Sequence, residues 1–147
     1  MKIAYLIDSV TALGGIERIT LSKASALADI PTNEVYIIVA FHRGEPVSYM
    51  NPRIKLINLD VNYYADYGKS RIQAFLFLLK KRQEHIRKLR VFLNEKQPDV
   101  LISTNQSEKH FIKSLKLDYR PVIIRELHFC SDYRQIEALS LPQKILA

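Results

Sequence analysis

A strand that runs through two glycines straight into a helix constrains this chain more than any other feature in it. Lys2–Ile7 (KIAYLI) reads as a buried strand, DSVTALGG as a turn, and residues 16–30 as a helix. Along that helix Ile16, Ile19, Leu21, Ala24 and Leu27 form an apolar stripe. Gly14 and Gly15 stand where the helix begins, at the end whose first backbone N–H groups have no partner within the helix. That end carries roughly half a positive charge, and a phosphate or carboxylate placed there gains about 0.3–2 kcal/mol. Glycine has no Cβ to hold a ligand off the backbone. The pair is also compatible with a plain bend from loop to helix.

Four more β-rich runs follow, at 34–41, 54–60, 99–104 and 121–127. The first strand and the run at 34–41 are nearly continuously apolar, the signature of parallel strands covered on both faces. The run at 54–60 is more mixed and belongs nearer an edge. Between them lies a long helical stretch, 69–96, with Ile72, Phe75, Leu76, Leu79, Ile86, Leu89 and Leu93 at helical spacing. Asn105 and Glu108 form a capping-box pattern for a helix to 117, and Ser131 caps a short one at 132–139. Pro98 and Pro121 stop helices before strands. The expected fold is therefore α/β: an open, Rossmann-like parallel sheet with helices on both faces, forming one domain over 1–147. Residues 143–147 begin another apolar run inside what reads as a strand, so the expectation is a domain truncated before a second one.

Ligands of open parallel sheets bind beyond the carboxyl ends of the strands. The segments leaving those ends are 8–15, 42–52, 60–68, 103–107 and 128–131. They collect Asp8, Ser9, Thr11, His42, Arg43, Tyr63, Tyr64, Tyr67, Asn105, Gln106, Glu126 and His128 on one rim. Glu126 and His128, two apart on a strand, point to the same face. His128 there is a substrate contact, a general acid or base, or a structurally bonded loop histidine. Tyr63 and Tyr64 stack on a sugar, sit at a membrane interface, or anchor the loop. His85 and His110, on helices, are expected in solvent. No His, Cys or carboxylate pair has metal-ligand spacing, so no metal is expected.

The formal charge of +7 admits nucleic acid, an anionic membrane surface or an anionic small substrate, or simply serves solubility. Lys80, Lys81, Arg82, Arg87, Lys88 and Arg90 surround the apolar stripe of the 69–96 helix. Such a helix can lie on anionic lipid or be an exposed helix packed on the sheet. No aromatic residue interleaves those charges between Lys80 and Val91, which argues against nucleic acid. Only 3–7 is apolar before Asp8, which does not fit a secretory leader, and the single Cys130 fits a reducing compartment. The expected location is cytoplasmic, peripheral on the inner face of a membrane. The G-x-G-x-x-G and G-x-x-x-x-G-K-[ST] fingerprints do not occur.

KIAYLID with GGIER, then PDVLIST, then VIIRELH resemble, in that order, the N-terminal domain of family 4 glycosyltransferases of GT-B fold. That resemblance implies two Rossmann-like domains facing a cleft, of which this chain is the acceptor side. It implies a nucleotide diphosphate sugar as donor, held mainly by a C-terminal domain through a Glu-x7-Glu motif that is not in this chain. No cofactor is implied for this domain. The reaction implied is sugar transfer with retention to a polysaccharide or lipid-linked acceptor, as in cell-surface polysaccharide synthesis. Gly14, Gly15, Glu17, Arg18, Tyr63, Tyr64 and Asn105 would bind substrate, and His128 with Glu126 would be catalytic. Many members have Glu and His adjacent, whereas Leu127 separates them here. The 147-residue piece alone is expected to transfer nothing. Two other readings stand beside this one: a flavodoxin- or receiver-like binding module, and a sugar-nucleotide epimerase of the same architecture.

Overall fold

The computed structural model describes residues 1–7, 10, 14–44, 50–63, 70–104, 112 and 114–126. In chain order the elements are β1 (Lys2–Ile7), α1 (Gly15–Ala28), β2 (Glu34–Val39), β3 (Lys55–Asn58), α2 (Arg71–Lys96), β4 (Val100–Ser103) and β5 (Val122–Arg125). The five strands form one sheet in the order β3-β2-β1-β4-β5, every pair parallel. This is the Rossmann order. Flavodoxin-like and receiver-type sheets run 2-1-3-4-5, so the stand-alone module is set aside on topology. The expected helices at 105–117 and 132–139, with their caps Asn105 and Ser131, and the run at 143–147 lie mainly or wholly outside the described residues.

β1 is central because both of its faces are apolar. Ile3, Tyr5 and Ile7 point to one side and pack with Leu21, Ala24 and Ala28 of α1 and with Val35, Ile37 and Val39 of β2. Ala4 and Leu6 point to the other and pack with Leu89 and Leu93 of α2, Leu101 of β4, and Leu115. That alternation is why β1 and β2 read as unbroken apolar runs. The mixed strand, β3, is at an edge as expected. The other edge is β5, whose Val122, Ile123 and Ile124 are exposed.

The inward face of α1 is turned slightly from the expected stripe. Thr20, Leu21, Ala24 and Ala28 are buried, while Ile19 is exposed. Small residues at 24 and 28 let the helix approach the sheet closely.

α2 packs along only part of its apolar stripe, with His85, Leu89 and Leu93 buried. Ile72, Phe75, Leu76 and Leu79 are exposed. The reason is length: 26 residues of helix span about 39 Å, whereas a six-residue strand spans about 20 Å. The Lys2 ammonium donates to the Lys96 carbonyl at 3.0 Å, which fixes the C-terminal end of α2 at the start of β1. The surplus therefore projects past the opposite edge, where the strands end. Ser70 starts the helix with a capping box, its Oγ accepting from Gln73 N and Gln73 Oε1 accepting from Ser70 N. Gln97, in the left-handed region (φ 47°), ends it ahead of Pro98.

Candidate functional site

The strand order reverses between β1 and β4, and the crevice of such a sheet opens there, beyond the carboxyl ends. Thr104, the first residue after β4, closes the floor. Its N–H and its Oγ1 both donate to the Leu6 carbonyl, at 3.2 and 3.1 Å.

Gly14 and Gly15 are exposed at this edge. Gly14 is the extended N-cap of α1 (φ −67°, ψ 157°), and no side chain caps the helix there. The first helical bond runs from Arg18 N to the Gly14 carbonyl at 3.1 Å. Backbone conformation does not demand glycine at either position, because neither has positive φ. At Gly14 a Cβ would meet only the Glu17 carboxylate folded back over it, the far end of a flexible side chain that can swing aside. At Gly15 a Cβ would meet nothing within 4 Å, so that backbone faces open space. Glu17 occupies the third helical position and lays its negative charge on the positive end of the dipole. An anion entering this mouth must share it with Glu17 or displace its carboxylate, whereas a sugar hydroxyl can donate to it. Arg18 is exposed beside it.

Glu126 leaves β5 on the face covered by α1, and its N–H donates to the Ser103 carbonyl at 2.9 Å. Its Oε2 lies 3.1 Å from Lys23 Nζ of α1, an ion pair without the alignment of a hydrogen bond. Lys23 is eight residues from Gly15, about 12 Å along the helix. α1 thus links the glycine mouth to the end of β5. Burial, with Glu126 contributing its charge, pushes the Tyr5 hydroxyl up to about 12. Lys23 is half exposed, so its pair with Glu126 is heavily screened. Replacing it (Lys23→Met) should cost only about 1 kcal/mol. A double-mutant cycle with Glu126→Gln in urea measures that coupling, and a cycle energy near zero removes the link.

The remaining rim residues are dispersed. Tyr63 lies on the α2 face, partly packed on that core, with its hydroxyl 3.0 Å from His85 Nδ1. His85 is buried, contrary to its expected place in solvent, because it shares the inward face of α2 with Leu89. Its place in the stripe, four residues before Leu89, was the signal for that. His42 follows β2, and its Nε2 is buried without a hydrogen-bond partner among the described residues. Tyr64, Asn105 and His128 lie outside the described residues. A groove of about 420 Å³ between Asn58, Leu59 and the Arg87–Phe92 side of α2 is at the β3 edge, away from the crevice. Among the described residues, no three His, Cys, Asp or Glu side chains converge as a metal site would need. Also among them, no helix is long and apolar enough to cross a membrane.

No family model and no curated protein matches the chain at a significant level. Solved structures do. The chain is similar to the apo form of WaaB, a lipopolysaccharide outer core galactosyltransferase, with TM-score 0.62 and 19% identity over 90% of this chain and 35% of that one. It is also similar to WaaG, a glycosyltransferase involved in lipopolysaccharide biosynthesis, with TM-score 0.54 and 11% identity over 97% of this chain and 31% of that one. The chain spans about a third of the length of either. At these identities the likeness carries the fold.

Proposed function

We propose, from a chain that has the fold of a GT-B N-terminal domain, that it is the acceptor-side half of a glycosyltransferase. The reading rests on one observation above all. At the strand-order switch of a 3-2-1-4-5 sheet, Gly15 opens the first crossover helix with nothing over its Cα. With neither φ nor packing requiring glycine there, close approach by a ligand remains as its use.

In this reading a sugar moves from a nucleotide diphosphate sugar to a polysaccharide or lipid-linked acceptor, with retention at the anomeric carbon. The main demand of that chemistry is stabilising the departing diphosphate. The amide groups at the start of α1 supply part of it, and cations on a second Rossmann-like domain supply the rest. Glu17 accepts from a sugar hydroxyl, and Arg18 offers its charge from one turn into the helix. His128 and Glu126 contact the transferred sugar, and Tyr63, Tyr64 and Asn105 line the acceptor side. Lys23 holds Glu126 on the α1 side of the crevice.

The test is sugar transfer by the protein in its full reading frame, using labelled nucleotide diphosphate sugars and cell-envelope glycan acceptors. Transfer is expected, and Gly15→Ala should lower kcat/KM at least about tenfold by blocking backbone approach. The same substitution should leave stability unchanged or raise it by about 0.4–1 kcal/mol, because its φ suits alanine. Full activity in Gly15→Ala removes the role of the mouth. Interconversion of the donor without an acceptor replaces transfer with epimerisation.

A further inference from the structure

We propose that the free edge of β3, with the cleft beside it on α2, binds an extended acidic peptide segment of another protein as an added strand. This is independent of the sugar-transfer reading, because β3 is two strands from β1 and its outer edge lies away from the crevice.

The backbone of β3 calls for a polypeptide. Among the described residues the strand is outermost and hydrogen-bonded only to β2. Leu59 N–H donates to the Val39 carbonyl at 3.0 Å, so by alternation the main-chain groups of Leu56 and Asn58 point away from the sheet. An outward row of this kind is a template for another main chain. A lysine on an edge strand ordinarily guards against such pairing. Lys55, the one charge on β3, is instead drawn back to the Glu34 carboxylate and lies over the Tyr36 ring, 5.6 Å from its centroid.

The cleft selects the side chains. It holds about 420 Å³ between the end of β3 and the flank of α2 from Arg87 to Glu95. Val91, 60% exposed, and Phe92 form its apolar floor with Leu59. Most of its charges are already neutralised, Lys88 by Glu84 at 3.0 Å and Glu95 by Lys96 at 2.7 Å. Arg87 is exposed and has no ion-pair partner among the described residues. It stands four residues before Val91, about 6 Å along the helix, and residues two apart on a strand are separated by about 6.8 Å. An added strand therefore sets an apolar side chain over Val91 and Phe92 and, two residues away, a carboxylate at Arg87. The β3 segment of a second copy brings Arg53 and Lys55 to that place, which are cations.

The experiment is fluorescence anisotropy of the full chain with a fluorescein-labelled peptide, Thr-Val-Thr-Glu-Thr-Val, and with the same peptide carrying lysine for glutamate. Saturable binding is expected to the acidic peptide and not to the lysine one. Arg87→Glu should weaken it at least about tenfold by setting like charges together. Val91→Gln should weaken it about fivefold through lost apolar contact. Both variants should keep the urea midpoint, since both side chains are exposed. Only alternate residues of an added strand bond to β3. N-methylation of one alternate set of peptide amides should therefore abolish binding, and methylation of the other set should spare it. Amide exchange at Leu56 and Asn58 should slow when the acidic peptide is bound. Failure to bind the acidic peptide overturns the proposal. So does equal binding of the lysine peptide, undiminished binding by Arg87→Glu, or indifference to both methylations. Self-association lost in Val91→Gln, without peptide binding, would assign the edge to a second copy instead.

Discussion

Acidification from pH 6.5 to pH 4 should cost this domain stability on the order of 3 kcal/mol, through His85 alone. Burial lowers the His85 imidazole from its ordinary 6.5 to about 4. The folded state therefore keeps it neutral, with Nδ1 against the Tyr63 hydroxyl at 3.0 Å. The unfolded chain takes up a proton as soon as pH falls below 6.5. Unfolding thus binds protons throughout the window, and stability falls with falling pH until His85 is charged in both states. The contribution is complete above pH 6.5 and gone below pH 4. Glu84 is held down to about 2 by Lys81 and Lys88, so it loses its advantage in a lower window, as pH falls below the ordinary carboxylate range. Urea midpoints measured from pH 7 to pH 4 read the slope. His85→Gln, which keeps an acceptor for Tyr63 and cannot titrate there, should flatten it. Parallel profiles for the two proteins would place the acid sensitivity elsewhere.

Leu93→Ala should destabilise the domain by about 2–5 kcal/mol, whereas Leu76→Ala in the same helix should stay within about 0.5 kcal/mol. Leu93 is fully buried among Ala4, Leu6, Leu89 and Leu101, and deleting its branched end leaves a cavity that the sheet cannot close. Against a typical total of about 5–15 kcal/mol, that is a large fraction. Leu76 has no such cavity to leave. Equal losses at the two positions would mean that α2 is docked along its full length, and the overhang would be gone.

The difference between those two leucines shows where sequence reading stops. Both lie in one helical stripe, and periodicity reports that a face is apolar without reporting what covers it. The strands were legible because β1 and β2 are buried on both sides and carry apolar residues almost throughout. β3 was legible as an edge from its mixed character. β5, as apolar as a central strand, was not. The rim followed from parallel topology, and Gly14, Gly15, Glu17 and Arg18 do gather at its centre. Tyr63 follows β3, two strands from β1, and its hydroxyl meets His85, a contact across 22 residues. The Lys23–Glu126 pair was illegible because it joins residues more than a hundred positions apart.

The same central position of β1 governs how the chain is made. Its amides and carbonyls are satisfied by partners far downstream: Lys2 N–H donates to the Asp99 carboxylate at 2.7 Å, and the Leu6 carbonyl accepts from Thr104. During synthesis β1 therefore waits for nearly a hundred further residues before its second flank is filled. Closing so long a loop first is slow, and until then a bare apolar edge is open to neighbours. Yield in expression should hinge on shielding that edge during synthesis more than on the resilience of the finished molecule.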